Sequence, residues 1–192
     1  MSPDPGITPG TTAGPSPKIT VATAWLDGCS GCHMSFLDMD ERLIELARQV
    51  AIVYSPLVDT KELPDQVDVG ILEGSVSNEH DLAQAKEFRA RCKLLISLGD
   101  CAVNGNVPAM RNQFKLADVI DRAYRDTVDL QPQTPTVGVA ALLVRVVPIH
   151  NVVPVDIFVP GCPPSADAIW YVLSELIEGR TPEPSKVTKF GA

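Results

Sequence analysis

Five apolar runs, each closed by a loop marked with glycine or proline, set the limits on what this chain can fold into. Lys18–Leu26 (KITVATAWL), Ala51–Leu57 (AIVYSPL), Val67–Leu72 (VDVGIL), Lys93–Leu98 (KLLISL) and Asp156–Val159 (DIFV) read as strands. Strands that are apolar throughout belong in a parallel sheet covered on both faces. The segments between them carry helical spacing. From Ser35 onward, Phe36, Met39, Leu43, Ile44, Ala47 and Val50 share one face, with Asp38 as capping partner to Ser35. His80–Cys92 reads as a helix with Leu82, Ala85, Phe88 and Cys92 inward, and Leu116–Arg125 as another. Residues 130–154 read as irregular. Ser165 caps a last helix, stopped by Gly179 and Pro182. The expected fold is α/β, a single flavodoxin-like doubly wound parallel sheet of about five strands in order 2-1-3-4-5. Ligands in such a sheet bind beyond the carboxyl ends of the strands.

Composition narrows the partners. The net charge is −8, which offers no basic face for nucleic acid. No apolar run reaches the ~18–20 residues needed to span a bilayer, so no membrane is expected. Residues 1–17 hold five Pro and three Gly, lack an export leader, and read as a disordered tail. Residues 18–180 form the expected domain and 181–192 a C-terminal tail. The expected compartment is the reducing cytoplasm, where cysteines serve as thiols, metal ligands or catalytic groups rather than disulfides.

The cysteines carry the chemistry. Cys29 and Cys32 follow the first strand, Cys101 the fourth and Cys162 the fifth. A parallel sheet brings these loops to one edge, so four thiolates converge from distant positions. Four cysteines are the ligand count of a [4Fe–4S] cluster. A structural zinc site takes four as well, but usually from two short knuckles. A redox dithiol would account for Cys29 and Cys32 and leave Cys101 and Cys162 unexplained. Cys92 reads as a buried core thiol. Asp100 reads as a turn residue, and Trp25 as a core residue that also stands next to the cysteine loop.

Four motifs, C-S-G-C-H-M-S at 29–35, E-G-S-V at 73–76, G-D-C-A at 99–102 and P-G-C-P-P at 160–164, together resemble the small subunit of [NiFe] hydrogenases, in order and spacing across 18–178. The resemblance points to the short small subunit of cytoplasmic NAD-reducing (bidirectional) enzymes. Exported relatives carry a twin-arginine leader and a further domain with two extra clusters, and neither is expected here. The resemblance implies that Cys29, Cys32, Cys101 and Cys162 hold one proximal [4Fe–4S] cluster, with His33, Gly31, Gly161 and Pro163 around it. It implies a large subunit with the Ni–Fe centre, and diaphorase subunits with FMN and further Fe–S clusters that deliver electrons to NAD+. The hydrogen-splitting site then lies on another chain.

Glu73 ends a buried strand on the cysteine edge. Its readings are an interface or proton-transfer group on one side, and on the other a solvated loop acid or an acid that hydrogen-bonds backbone N–H groups. His33 reads as a packing or interface residue rather than a fifth ligand. A flavin on this chain has little room, because its phosphate loop would be DGCSGC, already committed to thiolates. The alternatives of other classes are the cluster subunit of a complex I-like quinone oxidoreductase, whose first motif has adjacent cysteines, and a zinc-stabilised interaction module. The cysteine edge and the loops 104–115 and 130–154 are expected to meet partner chains.

Overall fold

The computed structural model describes residues 18–188. The tail expectation for residues 1–17 lies outside them, as do residues 189–192. In chain order the elements are β1 (Ile19–Trp25), α1 (Gly31–Leu37), α2 (Arg42–Gln49), β2 (Val50–Tyr54), β3 (Val67–Glu73), β4 (Val76–Asn78), α3 (Glu79–Arg91) and β5 (Cys92–Leu98). There follow α4 (Asp100–Asn104), α5 (Asn106–Ala109), α6 (Leu116–Asp121), β6 (Leu142–Val147), β7 (Ile157–Val159) and α7 (Ala166–Ile177).

The five-stranded sheet has the order β2-β1-β3-β5-β7, and each neighbouring pair is parallel. Counted among the sheet's own strands, this is the expected 2-1-3-4-5. Alternation along the strands feeds two cores. Val21, Ile71 and Ile96 face α1, α2 and α7, where Phe36, Leu46, Ile169 and Val172 meet them. Ala22, Leu72 and Leu95 face the other way, against Ala85, Phe88 and Ile149. Both faces are covered, which is why the strands show no polar stripe.

Several local expectations are corrected. The helix read as continuous from Ser35 to Val50 is two helices, and the first begins at Gly31. Asp40 takes φ 56°, a left-handed conformation that Asp tolerates, and this turns the chain between them. Ser35 is no cap. It sits inside α1, buried, and its hydroxyl donates to Pro164 O at 2.5 Å. Trp25 is 42% exposed rather than core, because it is the last residue of β1. Cys92 opens β5 instead of ending a helix, and its burial is as expected. The irregular stretch contains β6, which pairs antiparallel with β4 in a separate two-stranded sheet. The Ser165 cap is present, its Oγ accepting from Ala168 N at 3.2 Å. Past α7, Pro182 is buried. Among the described residues no helix is long and apolar enough to cross a membrane.

Candidate metal centre

Three loops at the carboxyl edge of the sheet build the site. The first leaves β1, and a pair of backbone bonds locks it to the loop after β3: Asp27 N to Ser75 O at 3.0 Å and Ser75 N to Asp27 O at 2.7 Å. Ser30 then takes φ 62° and α1 starts, so that Cys29 precedes the helix and Cys32 falls in its first turn. The second loop follows β5 and puts Cys101 in the first turn of α4. The third follows β7 and carries Cys162. The last two loops are tied directly. Asp100 N donates to Gly161 O at 2.8 Å, and Asp100 Oδ1 accepts from Gly161 N at 2.7 Å. Asp100 is therefore a structural clasp between the Cys101 and Cys162 loops.

The four cysteines line one cavity of about 90 Å³ with Glu73, Gly31, Gly161 and Pro163. Space is tightest at Gly99. It has φ +83°, and a Cβ there would stand 2.2 Å from Cys32 Sγ. Glycine is the residue that lets the β5 backbone pass this sulfur. Gly161, at φ +140°, would drive a Cβ to 2.6 Å from Pro164 Cα.

The site is electron-rich. Burial pushes the Cys32 thiol far up, and the Glu73 carboxylate beside it adds to the effect. Burial also raises Cys101, with Cys162 next in effect. Four sulfurs and an acid in one pocket call for positive charge, which an iron–sulfur core or a metal ion supplies. Among the described residues, no three His, Cys, Asp or Glu side chains are grouped so as to hold a metal ion. A cluster places each thiolate on a different iron atom, and so takes ligands spread more widely than one ion does. The donor set of four cysteines fits such a cluster.

Glu73 is 2% exposed, and its Oε2 accepts from His33 N at 2.8 Å. No side chain next to α1 in sequence caps it, so Glu73 supplies that role from β3 and sets an anion at the helix N-terminus. Its burial corrects the expectation of a solvated loop acid, and the bond to His33 N is the backbone-binding geometry. His33 is buried beneath Trp25, with ring centroids 5.5 Å apart, edge to face. Cys92 stands apart from the site. It packs in the notch opposite Gly70, where a Cβ would stand 2.6 Å from its sulfur, and burial pushes its thiol up to about 11.

Three contributors carry no motif. Asn106 donates through Nδ2 to Cys162 Sγ at 3.4 Å, and Thr23 and Ser55 bond in line behind His33. Only their neighbours in space give them a role.

Comparison with known proteins places the chain. A family model described as NADH ubiquinone oxidoreductase, 20 Kd subunit, matches residues 29–176, from the first cysteine of the site to beyond the last. The NAD-reducing hydrogenase HoxS subunit delta of Cupriavidus necator is 44% identical over 179 residues, covering 90% of this chain and 86% of the relative. The chain belongs to this family, among its hydrogenase small subunits. As a hydrogenase small subunit it is part of an oxidoreductase. A chain in a crystal structure of an NAD+-reducing [NiFe]-hydrogenase in the H2-reduced state superposes on this small subunit with a TM-score of 0.86 at 39% identity, covering 91% of this chain and 99% of that one. The iron-sulfur subunit of the F420-non-reducing hydrogenase of Archaeoglobus profundus is 31% identical over 184 residues, 85% of this chain; the match spans 57% of that longer protein.

Proposed function

We propose that this chain is the electron-transfer small subunit of an NAD-reducing [NiFe] hydrogenase, with Cys29, Cys32, Cys101 and Cys162 as ligands to one [4Fe–4S] cluster. When bound, the cluster supplies a one-electron relay between the Ni–Fe centre of a large subunit and diaphorase subunits with FMN and further Fe–S clusters, for H2 + NAD+ = NADH + H+. The chain's own residues hold and shield this group. The Asp27–Ser75 and Asp100–Gly161 pairings fix the loops, Gly99 gives the Cys32 sulfur room, and Glu73 anchors the first turn of α1. The compartment is a reducing cytoplasm, which keeps the thiols available. The observation that carries the reading is the shared cavity of four cysteines drawn from the ends of three strands.

One observation supports a second reading. The matching family model bears the name of a ubiquinone oxidoreductase subunit, so a complex I-like quinone reductase is the alternative. The C-x-x-C spacing of Cys29 and Cys32 and the 44% identity to a hydrogenase subunit favour the first. The test is iron, acid-labile sulfide and nickel content, with low-temperature EPR, on the complex purified anaerobically with its partners. The expected result is about four iron and about four sulfide attributable to this chain, a reducible cluster signal, and nickel in the same complex. Iron without nickel selects the quinone reductase. Zinc without iron overturns the electron-transfer reading and leaves an interaction module.

A further inference from the structure

A side chain outside the four motifs bonds to a cysteine sulfur. Asn106 lies in the segment after Cys101 and reaches across to the loop after β7, where its Nδ2 donates to Cys162 Sγ at 3.4 Å. The backbone beneath it is unusual. Gly105 takes φ 90° and Asn106 follows at φ 34°, two successive residues on the left-handed side. Asn adopts such angles more readily than most residues with a side chain. A non-glycine residue held there still costs energy, and such residues gather at functional sites. Local bonds hold the turn. Gly105 N donates to Cys101 O at 3.0 Å and closes α4, and Asn106 N donates to Asn104 Oδ1 at 2.9 Å. The turn thus aims an amide from the Cys101 segment at the sulfur of the Cys162 loop.

The sense of this bond follows from its chemistry. A cysteine sulfur that binds iron carries lone pairs and no hydrogen, so it can only accept. Of the two ends of the Asn amide, only the NH2 end meets such a sulfur favourably, and that is the end placed there. Hydrogen bonds to the sulfurs are among the factors that set a cluster's potential. They strengthen as the acceptor becomes more negative. A reduced cluster carries one more electron than an oxidised one, so the bond favours the reduced form. We propose that Asn106 is a positioning residue that raises the potential of a cluster on these cysteines through Cys162 Sγ. This rests on the cluster assignment above, and it adds a residue that the four motifs omit. A partner chain over the exposed Cys162 would take the bond out of water, where it counts for more.

The test is an EPR-monitored redox titration of the complex purified anaerobically with its partners, for wild type, Asn106→Gly and Asn106→Asp. Glycine accepts the backbone angle and removes only the side chain. Aspartate keeps the shape and the tolerance for that angle, but presents oxygen where the donor stood. The expected order of midpoint potential is wild type highest, Asn106→Gly lower and Asn106→Asp lowest, with iron retained. Water admitted by the smaller side chain acts in the opposite sense, because it favours the more highly charged reduced cluster. The sign of the shift therefore separates a lost hydrogen bond from mere exposure. An iron-loaded Asn106→Gly with an unchanged or more positive potential overturns the inference, even where the charge of Asn106→Asp lowers the potential by itself. If Asn106→Gly loads no iron, pulsed EPR decides on the reduced wild-type complex, grown with asparagine labelled with nitrogen-15 at the side-chain amide. A coupling of the label to the cluster is expected, and its absence overturns the inference. A wild-type complex without any iron–sulfur signal sinks the cluster assignment and this inference with it, whereas a normal cluster that ignores Asn106 sinks the inference alone.

Discussion

Gly99 shows how one backbone position serves a site made of side chains. Its φ of 83° and ψ of 161° lie where residues with a Cβ are strained by about 1–3 kcal/mol. Its missing Cβ also leaves the space beside Cys32 Sγ open. Gly99→Ala is expected to displace the Cys32 sulfur and to lower the iron content of the purified complex sharply; full iron loading would show that the loop yields. The cysteines divide in the same assay. Cys101→Ala is expected to lose the iron, while Cys92→Ala keeps it and lowers stability by about 1 kcal/mol through the void opposite Gly70. Equal iron loss in both would overturn the division of roles. At this scale the sequence was informative where chemistry is carried by a rare residue in a marked loop. The strand-end cysteines were legible because a parallel sheet fixes where strand ends go. Asp100 reads from sequence as a turn former, because its clasp on Gly161 depends on a loop 61 residues away. Thr23 looked like any β-branched strand residue, since its partners Ser55 and His33 come from separate elements.

At the edge of the sheet opposite the site, one side chain joins three strands. Asp68, on β3, accepts from the backbone N–H and hydroxyl of Thr20 on β1 and from Lys93 Nζ on β5, which ties three adjacent strands. The Lys93 bond, followed by those from Thr20, lowers the Asp68 carboxyl to about 2. A carboxyl lowered in the folded state adds stability above its ordinary value near 4, and this is lost as pH falls toward 2. Asp68 is partly exposed, so the contribution is below about 1 kcal/mol. Asp68→Asn is expected to lower the unfolding midpoint at neutral pH, with the difference from wild type fading near pH 2; a difference independent of pH would assign it to packing. At the head of α3, Asn78 Oδ1 accepts from Asp81 N at 3.0 Å, and Asn78 Nδ2 donates to Asp81 Oδ2 at 2.8 Å. Asn78→Ala is expected to cost about 1–2 kcal/mol in chemical denaturation, well above the few tenths of an exposed substitution. Hydrophobic patterning located the long elements, because burial on both faces makes the strands apolar throughout and one buried face gives α7 its helical spacing. It could not locate β4, three residues long, or its pairing of Val76 with Val147 across 71 positions. Nor did it show the break at Asp40, where one residue's backbone angle divides an unbroken apolar stripe.

Over the whole molecule, part of the exposed apolar surface lies on the segments that carry or adjoin the cysteines. Cys29 and Cys162 are exposed, as are Trp25 and Met34 on the β1 side. Past Asn106, whose amide reaches Cys162 Sγ, the exposed side chains of Val107, Met110 and Phe114 continue the patch, and Arg111 and Asn112 bond this segment to the backbone of β6. A cluster left at such a mouth would meet water and oxygen, and an apolar collar of this kind marks a surface that another chain covers. The loop around residues 59–65 makes a useful contrast. It too is irregular, but its groove is lined by Lys61, Glu62, Asp65 and Arg91 and lies beyond β2, away from the cysteines. If the hydrogenase large subunit sits on the collar, hydrogen exchange within the intact complex separates the two loops. Amides of 104–115 are expected to exchange slowly, and those of 59–65 at rates near those of free loops. Comparison inside one complex needs no isolated subunit, so a folding defect cannot imitate the result. Equal, fast exchange in both segments would place the partner elsewhere and leave the apolar collar without an occupant.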